Sequence, residues 1–252
     1  MKQWNLTWGG SDFDEGYALT VDNSDDVYLA GNTYGFGAGN SDLVLVKYDS
    51  LGMQQWNRTW GGSNYDYGNG IAVDSSDNIY LTGQTNSFGA GSSDMVLVKY
   101  DSSGLQQWNR TWGGSLGDSG NAITVDSLDN IYIVGGTSSF GDIYGDIVIV
   151  KYDGSGVIQW YRTWGGALDD YGMGIAIDSL DNIYLGGYTY SVDMFLVKYA
   201  PDIINPVINI HKPTQNEKFR EQSPDYNISI IEENLEGFWY TIDSGTTNYT
   251  IN

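Results

Sequence analysis

The tripeptide Trp-Gly-Gly occurs four times in this chain, at Trp8, Trp60, Trp112 and Trp164, and each interval is 52 residues. Each unit is rich in Tyr, Val, Ile, Trp and Gly and holds several short strand-like runs. A period of about 50 residues with this composition is typical of propeller blades rather than of a helical solenoid. The sequence therefore predicts an all-β fold built from one repeated supersecondary unit.

The second unit indicates how one copy divides into strands. Apolar runs at 70–74 and 79–83 are joined by a turn, and runs at 95–100 and 105–112 are joined by another. These predict four antiparallel strands, a to d in chain order. Strand c is apolar on both faces, so each sheet must be covered on both sides. Strand a carries small residues and strand d carries paired Trp. This size difference fits propeller blades, which lie close together near the central axis and diverge outward.

The repeats also predict the domain boundaries. A d strand at 1–8 precedes units near 9–60, 61–112, 113–164 and 165–200, and the last unit has no d strand of its own. Either the strand at 1–8 pairs with 195–199 and closes a ring of four four-stranded blades, or the units are an arc of a larger propeller. Because Met1 lies just before a strand and no secretion signal is present, we expect an upstream portion of the protein.

The segments Asp74–Gly83, Asp94–Tyr100 and Trp112–Gly114 resemble the SBBP-type β-propeller repeat of bacterial and archaeal surface proteins. The resemblance covers residues 1 to about 200. It implies a structural or adhesion module with an extracellular or cell-surface location. It supplies no catalytic residues that could be transferred to this chain.

Residues 201–252 differ from the repeats, since they contain all four prolines and the only histidine, His211. Runs at 207–210, 225–231, 237–242 and 248–251 are predicted strands. The sequence around Asn234 and Trp239 resembles Ig-like domains that adjoin archaeal surface propellers. A complete sandwich of that kind needs about seven strands. We therefore expect a partial, truncated Ig-like β-sandwich segment here.

Charge and composition exclude several functions. The net charge of −21 disfavours binding to nucleic acid or to anionic lipid. Cysteine is absent, which excludes disulfides, thiol nucleophiles and Cys-based zinc sites. No apolar run is long enough to span a membrane. The repeats contain no histidine, so a Ser-His-Asp triad is excluded. We expect no enzyme; a carboxylate-based hydrolase or lyase is the least favoured alternative.

Aspartates dominate the acidic residues and recur at fixed positions. Strand order places the d–a and b–c loops at one end of each blade, which is the predicted ligand face. One aspartate follows each Trp by six residues and another directly precedes each strand c: Asp14, Asp66, Asp118 and Asp170, and Asp42, Asp94, Asp146 and Asp193. They are either turn caps or ligands of Ca²⁺. The Asp-x-x-Asp segment after strand a, such as 74–77, lacks EF-hand spacing and is predicted to be a hairpin turn.

The leading hypothesis is a non-enzymatic surface scaffold that binds a protein or glycan through its loop face. Tyrosines of those loops are the candidate contacts: Tyr34, Tyr65, Tyr67, Tyr144 and Tyr171. The alternative is a calcium-stabilised structural module. The last unit has a b–c loop five residues shorter than the others, which breaks the symmetry of this face. Arginines beside the paired Trp, such as Arg58, are expected to stack on indole.

Overall fold

The computed structural model describes residues 3–141, 144–190, 193–200, 207–212, 227–231, 238–241 and 248–251. The chain divides into two compact units, Met1–Tyr199 and Ala200–Asn252. Every regular element in these ranges is a β-strand. Among them there is also no helix that is long and apolar enough to cross a membrane.

The first unit consists of four antiparallel sheets, and each sheet corresponds to one sequence repeat. The first sheet contains β1 (Asp14–Val21), β2 (Val27–Thr33), β3 (Asp42–Tyr48) and β4 (Gln54–Trp60). The second contains β5 (Asp66–Val73), β6 (Ile79–Thr85), β7 (Asp94–Tyr100) and β8 (Gln106–Trp112). The third contains β9 (Asp118–Val125), β10 (Ile131–Thr137), β11 (Asp146–Tyr152) and β12 (Ile158–Trp164). The fourth has three strands, β13 (Asp170–Ile177), β14 (Ile183–Thr189) and β15 (Met194–Tyr199).

Within each sheet, strands that follow one another in the chain are paired, so the predicted a-b-c-d order is confirmed. The turn between β5 and β6 shows why. The carboxylate of Asp74 accepts hydrogen bonds from the amides of Ser76 and Asn78, each at 2.9 Å, and from the hydroxyl of Tyr80. Asp77 adopts a φ of 61°, which aspartate tolerates better than most residues. The Asp-x-x-Asp segment therefore forms a tight hairpin turn, as predicted.

The four sheets pack side by side as blades of a propeller. The first strands of neighbouring blades are in contact, β1 with β5, β5 with β9 and β9 with β13. One apolar cluster fills each of the three junctions between blades. The third strands β3, β7 and β11 are buried almost throughout, which confirms that these blades are covered on both faces.

The outward faces of the first and last blades are open. Leu19 of β1 is 68% exposed, whereas Ile71, at the same position of the second blade, is 8% exposed. Leu196 of β15 is 76% exposed, and its second-blade equivalent Leu97 is fully buried. The sequence left a closed ring and an open arc as alternatives, and no closed ring is found among the described residues.

The segment Trp4–Trp8 corrects one prediction, because it is not a strand and does not pair with β15. It lies instead beside the turn between β3 and β4. A Cβ on Gly52 would lie 3.1 Å from the Trp4 ring and 3.2 Å from Leu6. In the next blade, the ring of Trp56 in β4 covers Gly104 in the same way. Trp4–Trp8 thus occupies the place that the fourth strand of a preceding blade would take.

The second unit contains two strand pairs in its described part. β16 (Val207–Lys212) pairs with β17 (Asn227–Ile231), and β18 (Phe238–Thr241) pairs with β19 (Asn248–Ile251). The remaining residues of the predicted Ig-like segment lie outside the described residues. The Ig-like sandwich therefore stays a prediction.

Candidate functional site

The loops lie at two opposite ends of the blades. The longer d–a and b–c loops lie together at the predicted ligand face. The amide of Asn86 donates to the carbonyl of Tyr65 at 2.9 Å, which joins a b–c loop to a d–a loop. Ser41 and Tyr65 form a parallel bridge between the first and second blades. At the other end, the side chain of Asn23 donates to Asp77 Oδ1 at 2.9 Å and links the a–b turns of two blades.

The aspartate that opens each first strand holds the two long loops together. Asp66 Oδ2 accepts hydrogen bonds from the amide of Gly62 at 2.7 Å and from Ser87 Oγ at 2.6 Å, while Oδ1 accepts one from Thr85 Oγ1. In the other three repeats, the amide of the second glycine of Trp-Gly-Gly also donates to the equivalent aspartate. These aspartates are Asp14, Asp118 and Asp170. These aspartates therefore cap their loops.

In the first two blades, the aspartate at the start of the third strand caps the b–c loop. Asp42 Oδ2 accepts hydrogen bonds from the amides of Ala38 at 3.0 Å and Gly39 at 3.1 Å. Asp94 Oδ2 likewise accepts one from Gly91 at 3.0 Å. Asp146 is buried, whereas Asp193 in the last blade is exposed. Six of the eight candidates are thus buried beneath the loop face rather than displayed on it, and Asp14 is half-buried.

The two sets of aspartates meet at the blade junctions, against the first glycine of Trp-Gly-Gly. A Cβ on Gly61 would collide with Asp42 Oδ1 and lie 2.7 Å from Asp66 Oδ2. Gly113 separates Asp94 and Asp118 in the same manner, and Gly165 separates Asp146 and Asp170. Within the described residues no group of three or more His, Cys, Asp or Glu side chains could hold a metal ion. Each junction therefore contains a carboxylate pair, and only a small residue fits between its members.

One recurrent contact was missed in the sequence. The indole of Trp60 packs against Phe88 of the following b–c loop, with 5.2 Å between ring centroids. Trp8 and Phe36, and Trp112 and Phe140, form the same pair. A phenylalanine follows each of these tryptophans by 28 residues, which was the available signal. In the last blade, whose b–c loop is shorter, Trp164 packs on Phe195 of β15 instead.

Three of the five candidate tyrosines lie together at the first junction. The rings of Tyr65 and Tyr67 are nearly parallel, with centroids 6.0 Å apart and an interplanar angle of 13°. Burial and a hydrogen bond with Tyr34 raise the pKa of Tyr67 to about 12. Tyr65 is 44% exposed. We call Tyr34, Tyr65 and Tyr67 the tyrosine cluster; its phenol hydroxyls can donate and accept hydrogen bonds.

The other two candidates lie elsewhere on the same face. Tyr144, on the b–c loop of the third blade, is exposed. Tyr171 is half-buried and packs on Tyr188, with 5.3 Å between ring centroids. Burial, followed by the charge of Asp169, raises its pKa. The structure therefore does not bring Tyr144 or Tyr171 into the tyrosine cluster.

Basic side chains in the repeats support the blades. Arg58 stacks over Trp56 at 5.1 Å and donates through Nε to the carbonyl of Gly104 at 2.7 Å. Lys47 lies over Tyr28 and forms an ion pair with Asp26 at 2.8 Å. The stacking expected for arginine is present. These cations hold structure at the turn end, away from the loop face.

A small apolar cavity lies between the third and fourth blades, lined by residues such as Ile149, Trp164 and Phe195. Its volume of about 10 Å³ is room for about one water molecule. It is too small for a substrate.

Comparison with known proteins agrees with this architecture. The beta-propeller repeat family SBBP matches residues 55–89 and 159–193. The regulatory protein FlaEY of Caulobacter vibrioides is 28% identical over 40% of this chain, and the match spans 12% of that protein. The WD repeat-containing protein L264 of Acanthamoeba polyphaga mimivirus is 22% identical over 81% of this chain and 17% of its own length. The chain thus spans less than a fifth of these relatives.

Similar solved structures are more distant. A gluconolactonase from Xanthomonas campestris, XC5397, has a TM-score of 0.47 and 10% identity, with 74% of this chain and 57% of the other covered. A fucose lectin from Kordia zhangzhouensis has a TM-score of 0.35 and 13% identity, with 59% and 97% covered. The repeat-family match and the four sheets together define an all-β protein built of propeller blades.

Proposed function

We propose that this chain is a non-enzymatic binding scaffold that presents its loop face to a protein or glycan partner. The tyrosine cluster carries the proposal, because it places aromatic surface beside polar loop groups on the face where the blades end. Aromatic rings with a hydrogen-bonding tip give large contact area at modest entropic cost.

Among the two partner classes, the cluster favours a glycan. Sugar rings stack on flat aromatic faces, and the Tyr65 and Tyr67 rings are nearly parallel. The amide side chain of Asn64 lies in the same loop and can hydrogen-bond hydroxyl groups.

The proposed scaffold has no catalytic role. The recurrent aspartates of the loop face accept hydrogen bonds from their own loops, as Asp66 does from Gly62, Ser87 and Thr85, and this leaves them poorly placed as acids or bases. We place the scaffold outside the cell or on its surface, since its repeat resembles that of surface proteins. Labelling of intact source cells with a membrane-impermeant reagent tests this location.

A binding screen on glycan arrays and on immobilised secreted proteins tests the function. Tyr65→Ala should weaken binding at least ten-fold, which corresponds to loss of about 1.4 kcal/mol. Leu128→Ala is the control, because Leu128 is 77% exposed and lies on an a–b turn at the opposite end. Binding that is unchanged by Tyr65→Ala, or lost equally in Leu128→Ala, would contradict this choice of face. A protein ligand without any glycan ligand would reverse the preference between partners.

A further inference from the structure

Two buried atoms at the first blade junction lack a hydrogen-bond partner among the described residues. They are Ser41 Oγ and Asp42 Oδ1, and their residues are 0% and 1% exposed. Buried polar atoms are nearly always paired, and an orphaned carboxylate oxygen is costly because its hydration is lost. The other oxygen of Asp42 is satisfied by two loop amides. Asp42 Oδ1 therefore needs a partner that is not a protein group.

A second carboxylate lies close to that oxygen across the junction. Asp42 Oδ1 and Asp66 Oδ2 both lie against Gly61, where a single Cβ would collide with the first and lie 2.7 Å from the second. Asp66 is fully buried. Two buried like charges repel each other unless a cation or a proton neutralises them.

The position of the basic residues leaves this pair without a protein cation in the described part of the chain. The ion pairs there join Lys47 to Asp22 and Asp26, and Lys99 to Asp74, at the turn end of the blades. Gly61, which lies against both carboxylates, is only half-buried and carries no side chain. Carboxylate and hydroxyl oxygens are the ligands that hard divalent cations prefer.

We infer that the Asp42–Asp66 pair binds a divalent cation of the calcium type, which joins the first blade to the second. Asp42 Oδ1 and Asp66 Oδ2 supply the charge, and water completes the coordination. With two carboxylates the affinity should be low, with a Kd of about 10⁻⁴–10⁻³ M. The inference goes beyond the proposed function, since the ion holds blades together and needs no partner.

Thermal unfolding of the full chain tests the inference. Addition of Ca²⁺ at about ten times its Kd should raise the Tm by about 3–6 °C relative to a sample in chelator. Asp42→Asn should abolish this rise, because Asp42 Oδ1 is the buried carboxylate oxygen that lacks a hydrogen-bond partner among the described residues. Asp193→Asn is the matched control, because Asp193 precedes β15 at the same repeat position, is exposed and faces no following blade; it should keep the full rise.

Direct binding provides a second readout that does not depend on stability. Tb³⁺ bound at this junction should emit on excitation of the adjacent Trp60, with saturation in wild type and in Asp193→Asn. Emission should fall at least five-fold in Asp42→Asn at the same Tb³⁺ concentration. The inference is overturned if calcium leaves the wild-type Tm unchanged, if Asp42→Asn keeps the rise or the emission, or if Asp193→Asn loses them equally. A Tm that ignores calcium but rises in Asp42→Asn would mean that the pair is neutralised by a proton.

Discussion

Substitution of the strand-b glycine by alanine should destabilise the blade that contains it. Gly83 of β6 lies opposite Gly68 of β5, where the pairing of the two strands shifts by one residue at a bulge. A Cβ on Gly83 would overlap the carbonyl oxygen of Tyr67 and lie 2.8 Å from its carbonyl carbon. Both atoms belong to the backbone, so no flexible side chain can move aside to relieve the collision.

That contact determines the loss of folding free energy in Gly83→Ala. To restore ordinary separation, β5 and β6 must move apart and lose about two flanking backbone hydrogen bonds, worth about 1 kcal/mol each. Overpacking adds about 1–3 kcal/mol. The sum is about 3–5 kcal/mol, and for a chain of this size each kcal/mol lowers the Tm by about 2–4 °C. We therefore expect Gly83→Ala to lower the Tm by about 6–20 °C.

The chain offers a matched control for this experiment. Gly174 of β13 also lies beside a strand bulge, but a Cβ there would meet nothing within 4 Å. Ala18 and Ala122 already occupy the same position in the first and third blades. Gly174→Ala should therefore leave the Tm within about 2 °C of wild type or raise it slightly. Intrinsic tryptophan fluorescence during heating measures both variants, and equal Tm values for the two would refute the reasoning.

Two further predictions concern the turn end of the blades. Arg58→Lys should lower stability by about 1–2 kcal/mol in urea unfolding, because the lysine cannot donate as Nε does to Gly104; an unchanged midpoint would contradict a bridging role. Burial acts to raise the pKa of Asp178, but hydrogen bonds from Asn182, Leu180 and Tyr184 outweigh it and lower the pKa to about 2. A depressed carboxylate pKa stabilises the fold above about pH 4, and this contribution is lost as the pH falls to about 2. The Tm of Asp178→Asn should thus fall less steeply than that of wild type over this range. Parallel plots of Tm against pH for the two proteins would contradict this prediction.

The sequence was sufficient to predict the blades because each strand is signalled locally. The alternation within strand a and the Asp-x-x-Asp turns act over a few residues, and the 52-residue period repeats them along the chain. Strands b, c and d of the second unit lie within two residues of their predicted bounds, whereas β5 begins at Asp66, four residues before the predicted start at 70. The hairpin at Asp74 and the stacking of Arg58 on Trp56 followed from the same local logic.

The features that could not be predicted from the sequence depend on contacts between repeat units. A repeat fixes offsets within one blade but not which residues of adjacent blades meet, so the pairing of Asp42 with Asp66 was hidden although both were candidates. The position of Trp4–Trp8 was missed for the same reason. Its composition matches a fourth strand, but packing against Gly52 keeps it beside the first blade.

The Trp-Gly-Gly motif now has a physical explanation at each residue. In the second repeat Trp60 packs on Phe88, Gly61 leaves room for two carboxylates, and the amide of Gly62 caps Asp66. The invariant positions therefore join blades, and they cannot distinguish one ligand from another.

Ligand choice must instead depend on loop-face positions that differ between repeats. The position of Tyr65 is occupied by phenylalanine, glycine and aspartate in the other three units, and that of Tyr67 by glutamate, serine and tyrosine. Only the second unit supplies tyrosine at both positions, so the tyrosine cluster exists at one junction of the arc. A ligand that needs this cluster should bind with a stoichiometry of one per chain, in spite of the four-fold repetition of the fold.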